Sequence, residues 1–311
     1  MCTRVGDAEL STASFVSDMS AGFSGNYGYS LPRDWAYDQI ATISVGSGDG
    51  YINIDNNIAS GRDVGQGSFN PPRIGLPDTY FDGAYYLSLQ HDVGAYMESI
   101  GFPESSLNRI YSHSECLESI MAEGRLMTEI SHRYQMRKAL IQTSAYWEMC
   151  HYDLMDLTVD AAVVYCHTAT GGSTITPVRD SSAGVAQISG TVGIIAWNHC
   201  INNALAEGPI LDPDVDSDLW VMWHQLNQNN DFSIATVPLI HMWGADGKPG
   251  GVNPPGGETI IRRPRLDYTD REIFEVLRRS QGWGNEAEEH AQKRMALYQI
   301  FERCNSIIRG A

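Results

Sequence analysis

From about residue 106 onward, apolar residues recur at the three- and four-residue spacing of α-helices, and this period limits the possible folds more than any motif does. The helical part opens with Ser112 and Glu115, a capping-box pair whose side chains satisfy each other's free backbone donors at a helix start. Leu117, Ile120, Met121, Met127 and Ile130 follow in register. Gln135 to Met149 is apolar on nearly every side, the pattern of a helix buried all round. Ala183 to Leu205 reads as a further apolar helix that stops before Gly208-Pro209. Residues 217–228 and 230–243 read as two more helices, the second kinked or shortened by Pro238. A Pro/Gly-rich loop from Gly244 to Arg265 leads to a second capping box, Thr269 with Glu272, and to two closing helices divided by Gln281-Gly282-Trp283-Gly284. The β-branched stretch Leu157 to Cys166 fits either a strand or a short helix, and His167 to Ser181 reads as a loop. The expected fold is therefore mainly α, with a small irregular or β excursion after Glu148.

Residues 1 to about 105 have a different character, rich in Gly, Ser, Asn, Asp and Tyr, without lysine, and with a turn signal every few positions. Short strands fit Ala41 to Val45 and Tyr51 to Ile54, and a helix fits Ala84 to Gly101. The expected division is a loop-rich N-terminal cap or accessory subdomain over 1–109 and a helical domain over 110–311, within what 311 residues allow.

With 38 acidic residues against 21 basic ones the net charge is −17, and no Lys/Arg cluster offers the hold on phosphates that nucleic acid requires. No run approaches the roughly 18 uncharged apolar residues of a membrane span. The first thirty residues lack a basic patch followed by an apolar run, so the expectation is synthesis in the cytoplasm without a cleaved signal. The six cysteines are dispersed with no CxxC pair, which favours buried thiols over a zinc site or a disulfide framework. Cys150 and Cys166 are the first pair to test for a disulfide, since a turn after Glu148 could bring them together.

The leading candidate for chemistry is Glu148, which follows Ala145-Tyr146-Trp147 near the end of an apolar helix. Burial beside an aromatic ring raises a carboxyl pKa and suits it to general acid catalysis near neutral pH. Asp153, Asp156 and Asp160 follow it. On one straight helix Asp156 would lie about 12 Å and Asp160 about 18 Å along the axis, beyond the roughly 5–9.5 Å between paired glycosidase carboxyls. A shared site thus requires the chain to turn back after Glu148. Asp212, Asp214, Asp216 and Asp218 alternate and could offer oxygen ligands to calcium. They lack the glycine and terminal glutamate of an EF-hand loop, so a solvated acidic loop capping the next helix is the favoured reading, and no cofactor is required. The histidines show no HExxH spacing, and neither a G-x-S-x-G nor a P-loop occurs.

Ser182-Ala-Gly184-Val-Ala-Gln187-Ile188 resembles the S-x-G-x-x-Q-[IV] stretch of the goose-type lysozyme and lytic transglycosylase superfamily, which opens the helix after the catalytic glutamate. The order of signals is similar over roughly 115–305. Asn230 to His241 looks like the D-x-x-x-N-I-x-x-A helix, and Arg278 to Phe301 like the late R-Y-x-G-x-G turn and closing helix. The acids at i+8 and i+12 from Glu148 look like those of muramidase effectors of type VI secretion. The resemblance implies a lysozyme-like catalytic domain that cuts the peptidoglycan glycan strand, with Glu148 as acid and Asp156 and Asp160 orienting water or stabilising positive charge. It implies cleft roles for Ser182, Gly184 and Gln187. Ser280 or Gln281 stands where relatives carry tyrosine, so a tyrosine contact to the sugar falls to Tyr146 or Tyr298. It further implies an antibacterial toxin, delivery to the periplasm of a target cell and an immunity partner. A lytic transglycosylase and an inactive lysozyme-like binding module are the alternatives.

Overall fold

The computed structural model describes residues 83–103, 108–169, 178–206, 208–251 and 257–309. These residues form ten helices and one two-stranded hairpin, so the fold is mainly α. The short strands expected at 41–45 and 51–54 lie outside the described residues. In chain order the helices are α1 (Gly83–Ser99), α2 (His113–Ala122), α3 (Gly124–Tyr134), α4 (Lys138–His151) and α5 (Leu154–Ala169). The hairpin strands β1 (Ser182–Ala183) and β2 (Ile188–Ser189) follow. The remaining helices are α6 (Gly190–Asn202), α7 (Asp216–Gln228), α8 (Asn230–Ala245), α9 (Asp270–Gln281) and α10 (Gly284–Arg309).

Two helices without a polar face form the centre, as their all-round apolar sequences require. In α4 the residues from Lys138 to Trp147 are all buried, and in α8 every residue from Phe232 to Ala245 is buried. Ser144 of α4 and His241 of α8 meet in a hydrogen bond of 3.0 Å. Around this pair α2, α3 and α10 pack on α4, while α3, α6, α7 and α9 pack on α8. Trp147, Trp197, Trp223, Phe232 and Phe301 are fully buried between these layers, each contributing roughly 2–3 kcal/mol of apolar burial.

Both capping boxes form as the sequence implies, Ser112 with Glu115 and Thr269 with Glu272. The closing helices are divided at Gly282, whose positive φ of 125° ends α9. The helix expected near Ala84 to Gly101 is α1, and it packs on α2 and α10, with the Tyr96 hydroxyl donating to the Lys293 carbonyl at 2.6 Å. Residues 83–103 and 108–109 thus belong to the same helical body as 110–309.

Of the two forms open to Leu157 to Cys166, strand or short helix, the helix is the one adopted, since one apolar side packs inward and no strand partner is needed. The stretch after Ser182 is a hairpin before it is a helix, because Gly184 and Gln187 take positive φ values of 68° and 46° that no α-helix accommodates. Pro238 lies inside α8 without shortening it. Cys116, Cys150, Cys166 and Cys200 are buried free thiols. The thiol neighbouring Cys150 is Cys116, and the Cys150 contact, followed by burial, pushes the Cys116 thiol far up. No helix among the described residues is long and apolar enough to cross a membrane.

Candidate active site

Glu148 lies in the last turn of α4, and the site depends on how the chain leaves that helix. Tyr152 takes an extended conformation and ends α4. Asp153 then caps α5, with its Oδ1 accepting from the backbone N–H groups of Met155 and Asp156 at 2.7 and 3.0 Å. Asp156 completes the exchange by accepting from the Asp153 N–H at 3.0 Å. Such reciprocal capping satisfies donors that a helix start would leave free. The break is fixed from outside by Ile110 donating to the Tyr152 carbonyl and by Leu154 donating to Asn108. The chain therefore does turn after Glu148, and it does so between two helices.

This turn brings Asp156 into the electrostatic neighbourhood of both Glu148 and Asp160; burial is the main cause that raises each carboxyl, and the Asp156 charge adds to it. Glu148 Oε1 accepts hydrogen bonds from Gln281 Nε2 at the end of α9 and from Arg294 Nη1 of α10 at 3.4 Å. Oε2 has no hydrogen-bond partner among the described residues, and the side chain keeps 20% of its exposure. Burial is the largest influence on Glu148 and pushes its pKa above the ordinary glutamate value, whereas Arg294 and the Gln281 amide pull it down. The net direction is upward.

Asp160 is held differently. It is 5% exposed and accepts from the Tyr152 hydroxyl at 2.8 Å, the Ser181 hydroxyl at 2.8 Å and the Asn227 amide at 3.4 Å. Ser181 also accepts from Trp223 Nε1 at 3.0 Å, so this carboxylate ties α5 to α7 and to the strand preceding the hairpin turn. Asp160 therefore faces protein, with its two oxygens taken up by Tyr152, Ser181 and Asn227. Asp156, half-buried and with Oδ1 unpartnered among the described residues, is the acid placed beside Glu148 with an oxygen to offer.

The Ser182, Gly184 and Gln187 motif forms the hairpin. Ser182 pairs with Ser189 and is exposed. A Cβ on Gly184 would stand 1.8 Å from the Leu226 carbonyl oxygen, so glycine is required by the close approach of α7. Gln187 Nε2 donates to the Gly184 carbonyl at 2.8 Å, closing the turn, and its Oε1 is not engaged. Tyr146 departs from its expected role. It is 0% exposed and packs edge-on against Phe301, and Tyr298 is buried as well, so neither ring reaches a sugar. The tyrosines near the acids are Tyr152 and its stacking neighbour Tyr111, which is exposed.

Comparison with known proteins adds little to this geometry. No family model matches the chain, and no solved structure matches it. Uncharacterized protein FadG of Bacillus subtilis (strain 168) is 59% identical over 70 residues, which is 22% of this chain and 12% of FadG. Uncharacterized protein YbfG of the same strain is 50% identical over 72 residues, 23% of this chain and 10% of YbfG. The matched part thus spans about a tenth of the length of these relatives.

Two residues at the site carry weight that the sequence reading did not assign them, Arg294 and Gln281. The signal for Arg294 was present, because Ala287, Ala291, Leu297, Tyr298 and Phe301 form the buried stripe of α10 and Arg294 interrupts it. A 1% exposed arginine on such a stripe calls for a buried anion, and Glu148 supplies it. The alternating aspartates are engaged within their own loop and by Arg179. Asp218 accepts from the Asp212 N–H at 3.0 Å, Asp212 accepts from Asp214 at 2.9 Å, and Asp216 pairs with Arg179. No group of three or more His, Cys, Asp or Glu side chains among the described residues could hold a metal ion.

Proposed function

We propose that the chain is a peptidoglycan glycoside hydrolase of the muramidase type, with Glu148 as the general acid. The observation that carries this reading is the Glu148 carboxyl itself: one oxygen fixed by two donors, the other open, and burial holding its proton above the ordinary glutamate range. Such a group can protonate a glycosidic oxygen, while Asp156 on the neighbouring helix orients water or stabilises the oxocarbenium-like transition state. Gln187 and Ser182 of the hairpin and Tyr111 beside Tyr152 offer polar and aromatic surface to a saccharide. On this reading the chain acts as an antibacterial effector, reaches the periplasm of a target cell and has an immunity protein as its partner. The ordered resemblance to lysozyme-like enzymes supports that role.

A second reading is favoured by one specific observation. Arg294 is buried against Glu148 and stabilises the carboxylate, which suits a non-catalytic glycan-binding module in which the pair is structural. Mass spectrometry of purified peptidoglycan incubated with the chain separates the readings. Reducing muramic ends indicate hydrolysis, 1,6-anhydro ends indicate a transglycosylase, and intact glycan that binds the chain indicates the module.

A further inference from the structure

Lys248 is one of three lysines in a chain that otherwise carries its positive charge on arginine. It follows α8 in a left-handed conformation, φ 54°, with its N–H donating to the Trp243 carbonyl at 3.0 Å. Its side chain is buried at 2% exposure, passes the Trp243 ring and ends with Nζ donating to the Gly282 carbonyl at 3.0 Å. No carboxylate among the described residues is in ion-pair contact with it, since the nearby Glu258 is engaged by Arg278 at 2.8 Å and Arg279 at 3.0 Å. A buried ammonium without a direct ion pair is costly. This one is aimed at the turn whose preceding residues, Ser280 and Gln281, contact Arg294 and Glu148.

We propose that Lys248 is a positioning residue that, by gripping the Gly282 carbonyl, sets the Gln281 amide on Glu148. The inference rests on the functional reading above for its catalytic consequence and on geometry alone for its structural one. Ser280, Gln281 and Gly282 are gripped from two sides, by Arg294 donating to Ser280 Oγ at 3.2 Å and by Lys248 donating to Gly282. Gln281 lies between the two grips, so the direction of its amide follows theirs. Lysine, unlike arginine, can lose a proton, which removes the charge assistance and so weakens its grip on the carbonyl. Burial is the main influence that pushes Lys248 down to about 8, with Arg278 and Arg279 of α9 acting in the same direction and Glu258 opposing. Because the folded form gives up this proton more readily than an exposed lysine does, stability gains from the group as pH rises above 8. A loss of activity there is therefore not unfolding driven by Lys248.

The test uses the full chain with 13C-labelled glutamate, the Glu148 resonance being assigned from Glu148→Gln. Lys248→Met should raise the Glu148 titration midpoint, because the lowering effect of the Gln281 hydrogen bond is lost, and Lys248→Arg should restore it. On peptidoglycan, Lys248→Met should lower kcat about 10-fold with KM changed less than about 2-fold, as expected for a misplaced rather than a missing group. Wild-type kcat should fall above pH 8 as the Lys248 grip weakens, and Lys248→Arg should abolish that fall. The wild-type chain gives an independent answer if Lys248→Met does not fold, since the Gln281 side-chain amide resonance should move with a midpoint near 8. A flat Gln281 resonance, or a Glu148 midpoint unmoved in folded Lys248→Met, overturns the proposal. If the midpoints move as expected but no variant cuts glycan, the positioning role stands and the muramidase reading alone falls.

Discussion

At the scale of single residues, the two neighbours of Glu148 compete. Burial favours its neutral form, while the Arg294 guanidinium favours the charged one, and the net shift is upward. Glu148→Gln keeps an amide oxygen for Arg294 and Gln281 but removes the dissociable proton. We expect it to reduce glycan release by about 10² to 10⁴, with a stability loss of about 1–3 kcal/mol, less than a fully buried broken pair because one oxygen is open. Released reducing ends and a thermal melt measure the two effects separately. The aspartates should then divide by partner. Asp156→Asn, which retains an oxygen for the Asp153 N–H, should slow cleavage more than it lowers the melting temperature. Asp160→Asn sets an amide donor against the hydroxyl and amide groups that converge on that carboxylate. It should lower stability by about 1–3 kcal/mol, with the rate loss following from displacement of α5. Equal effects of the two substitutions on both measurements would contradict the division.

Among the elements, the helices were legible and the breaks between them less so. Capping boxes and the all-round apolar runs of α4 and α8 carry their own physical signal, so their positions followed from sequence. The exit from α4 was not legible in detail because Asp153 and Asp156 read as site acids, while their first task is to cap α5. The hairpin was missed as an element because Ala, Val, Ile and Gly suit an apolar helix by composition, and only the backbone approach of Leu226 to Gly184 shows why the chain bends there. The Glu148 partners were hidden for the same reason, since Gln281 and Arg294 lie more than a hundred residues downstream and meet it only through packing. Gly184→Ala tests the hairpin account. It combines a left-handed φ with a backbone clash and should cost about 2–4 kcal/mol. Gly250→Ala has a similar φ of 75° with no atom within 4 Å, and should cost about 1 kcal/mol. Comparable melting shifts in the two variants would show that the Leu226 contact is not what demands glycine.

For the whole molecule, the net charge of −17 means that each added proton relieves repulsion, so a general rise in stability on mild acidification is expected. One pair should dominate that rise. Glu123, in the junction between α2 and α3, and Asp231, in the first turn of α8, are neighbouring carboxyls whose titrations influence each other. Burial, followed by the charge of Asp231, pushes Glu123 up to about 7, and burial raises Asp231 as well. The sign follows from proton counting. Between the ordinary glutamate value of 4.5 and about 7 the folded chain holds a proton that the unfolded chain has released, so stability falls as pH rises through that window. Below that window Glu123 is protonated in both states, and above it ionised in both, so the slope from Glu123 vanishes on either side. Melting curves in constant-ionic-strength buffers should therefore show a steep loss between pH 5 and 7. Glu123→Gln, which keeps the side-chain shape without a titrating proton, should flatten that segment and raise stability at pH 8 relative to the unsubstituted chain. A slope unchanged in Glu123→Gln would assign the pH dependence to the diffuse charge of the molecule instead of to this junction.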